Sequence, residues 1–142
     1  MTLLLDASTV VDLLLRSDRG ERLRQALEAD DPDDLVTVAH LDAEVFSGLA
    51  RHHRAGLLDA DEVTALLPRL ADLGATRMPI TRELLEAAWA LRDNIAARDA
   101  LYVAAARALD AALVTTDDRL ARAVPDLVAE LGDAGVDEQP SR

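Results

Sequence analysis

The sequence predicts one α/β domain built on a mostly parallel sheet that is covered by helices. Short apolar runs alternate with amphipathic helical patterns along the chain, without an internal repeat. Half of the 142 residues are hydrophobic but only 2% are aromatic. The core must therefore consist of Leu, Val and Ala, a composition that suits helices packed on a small sheet. A chain of this length buries about two-thirds of its unfolded surface as a single domain.

The first part of the chain contains a strand, two helices and their connections. Residues 2–6 are a short apolar run that stops abruptly at Asp-Ala-Ser, which favours a strand followed by a helix over residues 8–15. Residues 17–20 predict a turn, and the apolar spacing of residues 21–29 predicts an amphipathic helix. Residues 30–34 carry four acids that repel one another, so we expect a solvated loop there.

The middle of the chain contains one strand and two helices. The β-branched segment 35–38 predicts a second strand. Residues 41–55 have helical apolar spacing, and Gly56 suits the C-terminal cap of that helix. Residues 61–73 also predict a helix. Because proline lacks the backbone N–H that a helix interior needs, Pro68 predicts a kink or a break in it.

The last part of the chain repeats the alternation. Residues 76–78 predict a brief third strand, and a helix capped by Thr81 follows as residues 81–92. Residues 98–109 are almost uninterrupted Ala, Leu, Tyr and Val after the first turn, which predicts a helix packed on more than one face. Residues 112–115 predict the fourth strand, and 118–123 a short helix.

The end of the chain and the cellular location are two further expectations. Residues 127–129 are a candidate fifth strand. We expect residues 1–131 to form the folded domain and residues 132–142, which lack a core pattern, to be a disordered tail. The first apolar run has no basic segment before it, and no apolar stretch approaches the roughly 18 residues that span a bilayer. We therefore expect a cytoplasmic protein without a membrane partner.

Composition excludes several classes of chemistry. The chain has no cysteine, which excludes disulfides, thiolate metal sites and cysteine nucleophiles. All 15 basic residues are arginine, so no mechanism uses a lysine. The formal net charge of −12 argues against a generic nucleic-acid coat protein. Such a charge instead suggests clustered acids, a bound divalent metal or a basic partner.

Four acids lie where the predicted topology brings them to one edge of the sheet. Asp6 ends the first strand and Asp117 follows the fourth, while Glu44 lies one turn into the helix after the second strand. Asp99 lies in the first turn of the helix that leads to the fourth strand. Ligands bind outside the carboxyl ends of the strands in such sheets. Each acid taken alone is explained as a helix cap or a solvated side chain, but four together need another explanation.

A divalent cation explains why four carboxylates would converge. Two carboxylates about 5 Å apart, at an effective dielectric constant near 20, repel each other by roughly 3 kcal/mol. Hard cations such as Mg²⁺ or Mn²⁺ turn that repulsion into binding, because they accept a few carboxylates together with waters. Such an ion lowers the pKa of a bound water and neutralises charge on a phosphate.

Four segments of the chain carry a resemblance to a known family. They are LLLDASTVVDLLL, LDAEVFSGLAR, ARDALYVAAARAL and ALVTTDDRLA. Together they resemble the sequence blocks of PIN-domain ribonucleases, and most closely those of VapC-type toxins from bacterial toxin–antitoxin pairs. The resemblance extends from residue 2 to about residue 130, in the order and spacing of that family.

The resemblance implies a fold, an activity and partners. The fold is a three-layer α/β/α sandwich, usually as a homodimer. The activity is endoribonuclease cleavage of RNA with one or two Mg²⁺ or Mn²⁺ ions, and the inhibitor is a VapB-type antitoxin. The matching metal-binding and catalytic acids are Asp6, Glu44, Asp99 and Asp117. Ser8 matches the hydroxyl residue after the first acid, and Thr115 matches the hydroxyl residue that orients the last acid.

Other residues near the predicted crevice are weaker candidates. Asp118 adjoins Asp117 and Asp12 follows Asp6, so either is a possible supporting acid, whereas Asp42 should point away from Glu44 around the helix. His40 ends a strand near the crevice and is given at most a minor role. His52 and His53 are expected at the surface. Candidate phosphate-binding residues are Arg16, Arg51, Arg54 and Arg98.

Four alternatives remain to be weighed against a metal-dependent ribonuclease. A PIN-like module with weak catalysis, acting mainly through an antitoxin or another partner, is disfavoured by the complete set of acids. A receiver domain also gathers acids at strand ends, but it needs a lysine that this chain lacks. A serine hydrolase needs a G-x-S-x-G elbow and a nucleotide-binding P-loop needs its glycine-rich motif, and neither motif is present.

Overall fold

The computed structural model describes residues 1–131, and the predicted disordered tail, residues 132–142, lies outside them. The four strands are β1 (Thr2–Leu5), β2 (Asp34–Val38), β3 (Thr76–Met78) and β4 (Ala112–Val114). The seven helices of the described residues are α1 (Ala7–Leu15), α2 (Asp18–Asp30), α3 (Leu41–Arg54), α4 (Ala60–Ala71), α5 (Arg82–Trp89), α6 (Ala97–Ala108) and α7 (Asp118–Ala123).

The strands form one parallel sheet in the order β3-β2-β1-β4. Leu4 on β1 pairs with Val36 on β2 and with Leu113 on β4, so β1 is a central strand. All pairs are parallel, as the alternation of strands and helices predicts. The carboxyl ends of β1 and β4 are therefore neighbours, and Asp6 and Thr115, the residues that directly follow these strands, lie at the same edge of the sheet.

The burial of β1 shows that both faces of the sheet are covered. Leu3, Leu4 and Leu5 are each at most 1% exposed. Since successive side chains of a strand point to opposite faces, full burial of three in a row requires helices on both sides. This arrangement confirms the predicted three-layer α/β/α fold.

Helix α6 is the most deeply buried helix segment, as its apolar sequence predicts. Five consecutive residues of it, from Tyr102 to Ala106, are at most 5% exposed. This helix packs on β1, β2 and β4 on one side and on α5 on the other. Small alanine side chains allow this close approach. Its first turn, which carries Asp99, is thereby fixed at the carboxyl edge of the sheet.

The largest difference from the predicted elements occurs at the start of α2. Residues 17–20 do not form a turn, because Ser17 caps a helix that begins at Asp18; its hydroxyl accepts a hydrogen bond from the Gly20 N–H at 3.0 Å. Gly20 lies where α2 crosses α1. A Cβ added there would lie 1.9 Å from the Asp12 carbonyl oxygen, so only glycine permits this crossing.

Three smaller predictions also differ from the structure. Helix α4 continues through Pro68 to Ala71, so of the predicted kink or break, the break does not occur. Helix α5 ends at Trp89 rather than Arg92, where a turn replaces the last predicted residues. The candidate fifth strand is reduced to one parallel bridge between Val128 and Leu113.

Within residues 1–131, no helix has both the length and the apolar character needed to cross a membrane. The cytoplasmic location remains a prediction from the sequence.

Candidate active site

Asp6 is buried at the end of β1 and held on both carboxylate oxygens. Oδ1 accepts hydrogen bonds from the Ser8 hydroxyl at 2.7 Å and from the Thr9 N–H at 2.9 Å, which makes Asp6 the N-cap of α1. Oδ2 accepts a hydrogen bond from the Thr115 hydroxyl. Burial raises the pKa of Asp6, and the hydrogen bonds from Thr115, Thr9 and Ser8 offset part of that rise.

Asp117 begins α7 at the same edge of the sheet. Its Oδ1 accepts hydrogen bonds from the Arg119 N–H at 2.9 Å and the Leu120 N–H at 3.3 Å, so it is the N-cap of this helix. The Asp117 N–H donates to the Thr115 hydroxyl at 3.1 Å. The contact of the Thr115 hydroxyl with Asp117 is thus to the backbone N–H rather than to the carboxylate that the resemblance implied it would orient. The Thr115 hydroxyl donates to Asp6 instead, because the end of β4 lies beside the end of β1.

Glu44 lies in the first turn of α3 among three polar partners. Oε1 accepts a hydrogen bond from the Tyr102 hydroxyl at 2.7 Å, and His40 Nε2 lies 3.1 Å from the same oxygen. An Arg98 guanidinium nitrogen lies 3.5 Å from Oε2. Burial alone would raise the pKa of Glu44. The hydrogen bonds from His40 and Tyr102 and the positive charge of Arg98 outweigh burial and lower this pKa.

Asp99 is the acid whose charge the protein compensates least. Burial raises the pKa of Asp99, and the negative charges of Asp117, Asp6 and Glu44 raise it further. The charge of Arg98 lowers it only in part. Since charges act on one another strongly only at short range, the structure brings the four predicted acids into one electrostatic environment.

Two adjoining clefts meet at these residues. A cleft of about 500 Å³ is lined by Ser8, Glu44, Arg51, Arg98, Asp99 and Asp117 among others. A second cleft of about 710 Å³ shares Arg98, Asp99 and Asp117 with the first and extends along α7. Asp6 lies behind these lining residues, 2% exposed. Three of the four acids therefore face an open space large enough for a nucleotide, and the fourth supports them from the core.

The donor set fits a hard, hydrated divalent cation rather than a closed metal cage. In the part of the chain that the structure describes, no three acids or histidines converge closely enough to surround an ion by themselves. Mg²⁺ and Mn²⁺ do not require such a cage, because they keep several waters and take one or two carboxylates. The four side chains offer only oxygen donors, and the raised pKa of Asp99 shows that negative charge in the cleft is incompletely balanced.

The remaining candidates separate into residues at the cleft and residues away from it. Asp12 lines the first cleft and Asp118 the second. Asp42 points away, as predicted, and accepts hydrogen bonds from Arg77 at 2.9 and 3.2 Å. Among the other candidates, Arg51 and Arg98 line the clefts, whereas Arg16 and Arg54 are not among the lining residues. His53 is exposed.

Two histidines and one tyrosine have contacts that the sequence did not indicate. His52 is only part-buried at the helix surface, and its Nδ1 lies 2.8 Å from the Gly48 carbonyl oxygen. His40 was given a minor role and Tyr102 only a place in the core, yet both contact Glu44. Tyr102 follows Asp99 by three residues and so lies on the same helix face, and this spacing would have suggested that Tyr102 lies near the acids.

Comparison with known proteins gives concordant matches. The family model described as PIN domain matches residues 3–124. The chain is 45% identical over 121 residues to ribonuclease VapC3 of Mycobacterium tuberculosis, an alignment that covers 84% of this chain and 85% of the relative. It is 37% identical over 127 residues to ribonuclease VapC1 of the same species, an alignment that covers 89% of this chain and 92% of the relative.

Two solved structures have the same fold. The crystal structure of M. tuberculosis VapC20, a toxin that cleaves the sarcin–ricin loop, aligns with a TM-score of 0.65 at 18% identity, covering 85% of this chain and 94% of that one. A toxin–antitoxin complex from Klebsiella pneumoniae aligns with a TM-score of 0.66 at 22% identity, covering 89% and 96%.

Proposed function

The chain belongs to the PIN-domain family, and from this membership we propose that it is a metal-dependent endoribonuclease, the toxin of a VapC-type toxin–antitoxin pair. Two relatives that align over more than four-fifths of the chain are named ribonucleases. The reaction is hydrolysis of an RNA phosphodiester bond. A carboxylate-lined cleft bordered by arginines is a suitable site for that reaction.

Asp6, Glu44, Asp99 and Asp117 are the proposed catalytic acids, which together hold Mg²⁺ or Mn²⁺. A divalent cation bound by them would lower the pKa of a coordinated water and neutralise charge that develops on the scissile phosphate. The support for this assignment is electrostatic. Three carboxylates raise the pKa of the fourth, Asp99, in a cleft where desolvation already disfavours its charge.

The supporting hydroxyls are Ser8 and Thr115, whose role is to fix the Asp6 carboxylate. Each donates to a different oxygen of Asp6, so the carboxylate plane cannot rotate freely. Oδ1 already accepts two hydrogen bonds, from Ser8 and Thr9, whereas Oδ2 accepts one, from Thr115, and so keeps acceptor capacity for a further partner. Fixing a buried acid before substrate arrives reduces the reorganisation needed during the reaction.

Arg98 and Arg51 are the proposed phosphate-binding residues. Both line the cleft beside the acids, and the Arg98 side chain is 72% exposed. Arginine suits this role because its planar guanidinium forms paired hydrogen bonds with phosphate oxygens. The chain as a whole carries a net charge of −12, so binding of a polyanion depends on cations placed at the cleft itself.

The proposed partners are an RNA substrate, a VapB-type antitoxin and a second copy of the chain. Two exposed apolar patches are available for protein partners: Leu85 and Trp89 on α5, and Phe46 and Leu67 where α3 meets α4. Trp89 is 67% exposed and Phe46 56%, unusual values for such large apolar side chains. If the α5 patch forms the homodimer, a Leu85→Ser, Trp89→Ser variant should be monomeric in analytical ultracentrifugation.

The observation that supports the function most directly is the convergence of Glu44, Asp99 and Asp117 at one cleft, with Asp6 buried behind them. The test is cleavage of total RNA by purified protein with Mg²⁺ or Mn²⁺, and with EDTA. Asp6→Asn and Asp99→Asn should each abolish cleavage while the circular dichroism spectrum stays unchanged. Asp93→Asn, the same substitution at an exposed turn residue, is the matched control and should cleave normally.

Cleavage by either Asn variant at the wild-type rate would disprove the site assignment. Wild-type protein that binds a protein partner tightly but neither binds metal nor cuts RNA would favour the alternative, a binding module without catalysis.

A further inference from the structure

One oxygen of Glu44 is contacted by two side chains, Tyr102 on α6 and His40, which directly precedes α3. Oε1 accepts a hydrogen bond from the Tyr102 hydroxyl at 2.7 Å, and His40 Nε2 lies 3.1 Å from the same oxygen. The His40 and Tyr102 rings are stacked with their centroids 4.4 Å apart. A carboxylate oxygen has about two lone-pair sites, and the Tyr102 hydrogen bond together with the His40 contact takes up the surroundings of Oε1. Oε2 is then the oxygen left for the cleft, where Arg98 lies 3.5 Å away.

The same two residues connect the helices that carry Glu44 and Asp99. Tyr102 lies on α6, three residues after Asp99, and reaches across to Glu44 on α3. His40 directly precedes α3, and its Nε2 lies 3.1 Å from the Arg98 carbonyl oxygen in the first turn of α6. The contacts therefore run in both directions between α3 and α6, and they fix the separation of the two acids.

The surroundings of His40 indicate which ring nitrogen carries the hydrogen. Nε2 lies within hydrogen-bonding distance of two acceptors, Glu44 Oε1 and the Arg98 carbonyl. Among residues 1–131, the buried Nδ1 atom has no hydrogen-bond partner. An N–H on Nε2 donates to the Arg98 carbonyl and lies beside the negative Glu44 Oε1, whereas an N–H on Nδ1 would be buried without an acceptor. Tyr102 is likewise a donor, because burial raises the pKa of its phenol and keeps it protonated.

We propose that His40 and Tyr102 are positioning residues, which direct Oε2 of Glu44 toward the cleft in which Glu44 and Asp99 would help to hold a divalent cation. This inference rests on the proposed function, because it assigns a role to residues behind the proposed metal-binding acids. Replacing a residue that orients a metal-binding side chain typically weakens metal affinity by about 10- to 100-fold. The RNA-binding arginines are not altered, so the effect should fall on metal binding and kcat rather than on KM.

Three single variants separate hydrogen bonding from packing. Tyr102→Phe keeps the ring and removes the hydroxyl that donates to Glu44. His40→Phe keeps an aromatic ring beside Tyr102 and removes the Nε2 donor. His40→Gln removes the ring but keeps an amide N–H at a similar distance from the backbone. If the hydrogen bonds matter, the Gln variant retains function better than the Phe variant, and if the stacked ring matters, the order is reversed.

The experiment measures Mn²⁺ binding to the full-length protein by isothermal titration calorimetry, together with kcat and KM for RNA. We expect the Mn²⁺ dissociation constant to rise about 10-fold or more in Tyr102→Phe and His40→Phe. We expect it to change less in His40→Gln, and KM for RNA to stay within about twofold in all three. In a Glu44→Gln background, Tyr102→Phe should cause no further loss of Mn²⁺ affinity, since Tyr102 acts through Glu44.

Three outcomes would overturn the inference, and a fourth concerns the proposed function. Unchanged Mn²⁺ affinity in Tyr102→Phe, or an equal loss in the Glu44→Gln background, would exclude positioning through Glu44. Greater loss in His40→Gln than in His40→Phe would show that His40 only packs. Wild-type protein that binds no Mn²⁺ would overturn the proposed metal site itself, and with it the role of His40 and Tyr102.

Discussion

Replacing Asp99 with asparagine should stabilise the metal-free protein. The substitution removes one negative charge from the cleft and keeps the size of the side chain. At neutral pH the ionised Asp99 is disfavoured by its burial and by the charges of Asp117, Asp6 and Glu44. A residue whose ionised form is disfavoured in the folded state lowers the free energy of unfolding. Replacing it with a neutral residue therefore raises the free energy of unfolding.

The size of the effect follows from two opposing contributions. Asp99 is only partly buried, so each repulsive pair is screened by solvent and is assigned about 0.5 kcal/mol, or about 1.5 kcal/mol for three neighbours. Asp99 also lies in the first turn of α6, where the helix dipole favours a negative charge by about 0.5 kcal/mol. The net gain is about 1 kcal/mol, which corresponds to a rise in Tm of about 4 °C.

The gain should depend on pH in a defined direction. The pKa of Asp99 is raised in the folded state above its ordinary value of 3.8. A carboxyl group with a raised pKa contributes stability to the folded protein that is fully present below pH 3.8, where Asp99 is protonated. That contribution is lost as the pH rises through the folded-state pKa and Asp99 ionises. The difference between variant and wild type should therefore be largest at pH 7.5 and should shrink as the pH falls toward 4.

The assay is thermal unfolding in EDTA at pH 7.5 and at pH 4.5. Glu83→Gln is the control, because Glu83 is an exposed acid in the first turn of α5. That substitution loses the favourable helix dipole and gains nothing from reduced repulsion, so it should lower Tm slightly. A lower Tm for Asp99→Asn at pH 7.5, or an equal gain at both pH values, would refute the electrostatic argument for this site.

Three further predictions concern metal, capping and substrate. Saturating Mg²⁺ or Mn²⁺, at about 100 times its dissociation constant, should stabilise the wild type by roughly 2.7 kcal/mol in thermal unfolding, and no shift with either ion would contradict the metal site. Asp117→Asn should keep the N-cap of α7 and lose RNA cleavage, whereas Asp117→Ala should also lose about 1 kcal/mol of stability; equal stability of the two variants would contradict the capping role. Arg98→Ala should raise KM for RNA roughly tenfold, the loss expected for one charged hydrogen bond, and Arg54→Ala, away from the cleft, should not.

The sequence predicted the sheet and the buried helix because both rest on strong local patterns. The run Leu3-Leu4-Leu5 ending at Asp6 specifies a buried strand, and the alanine-rich run after Asp99 specifies a helix packed on two faces. The errors occurred where tertiary contacts decide the outcome. The start of α2 was missed because Ser17 was assigned to a turn, although its hydroxyl caps the helix, and because the need for Gly20 is visible only where α1 and α2 cross.

The candidate site was predictable as a set of acids but not as a set of contacts. Strand ends and helix starts are readable from the sequence, so Asp6 and Asp117 could be assigned to one edge of the sheet. Hydrogen bonds between distant segments are not readable in this way. The Thr115 hydroxyl contacts Asp6 because β1 and β4 are adjacent, and Tyr102 contacts Glu44 because α6 lies beside α3. Neither adjacency follows from the order of elements along the chain.

The structural and functional explanations of the four acids are compatible, because each acid lies at a helix N-terminus. Asp6 and Asp117 are N-caps of α1 and α7, and Glu44 and Asp99 lie in the first turns of α3 and α6. The positive ends of four helix dipoles therefore face the same cleft, and each favours a nearby carboxylate by typically 0.3–1 kcal/mol. That attraction allows the acids to converge before a cation is bound. It does not cancel their repulsion, since the pKa of Asp99 remains raised. The remaining negative charge is what a divalent cation would bind.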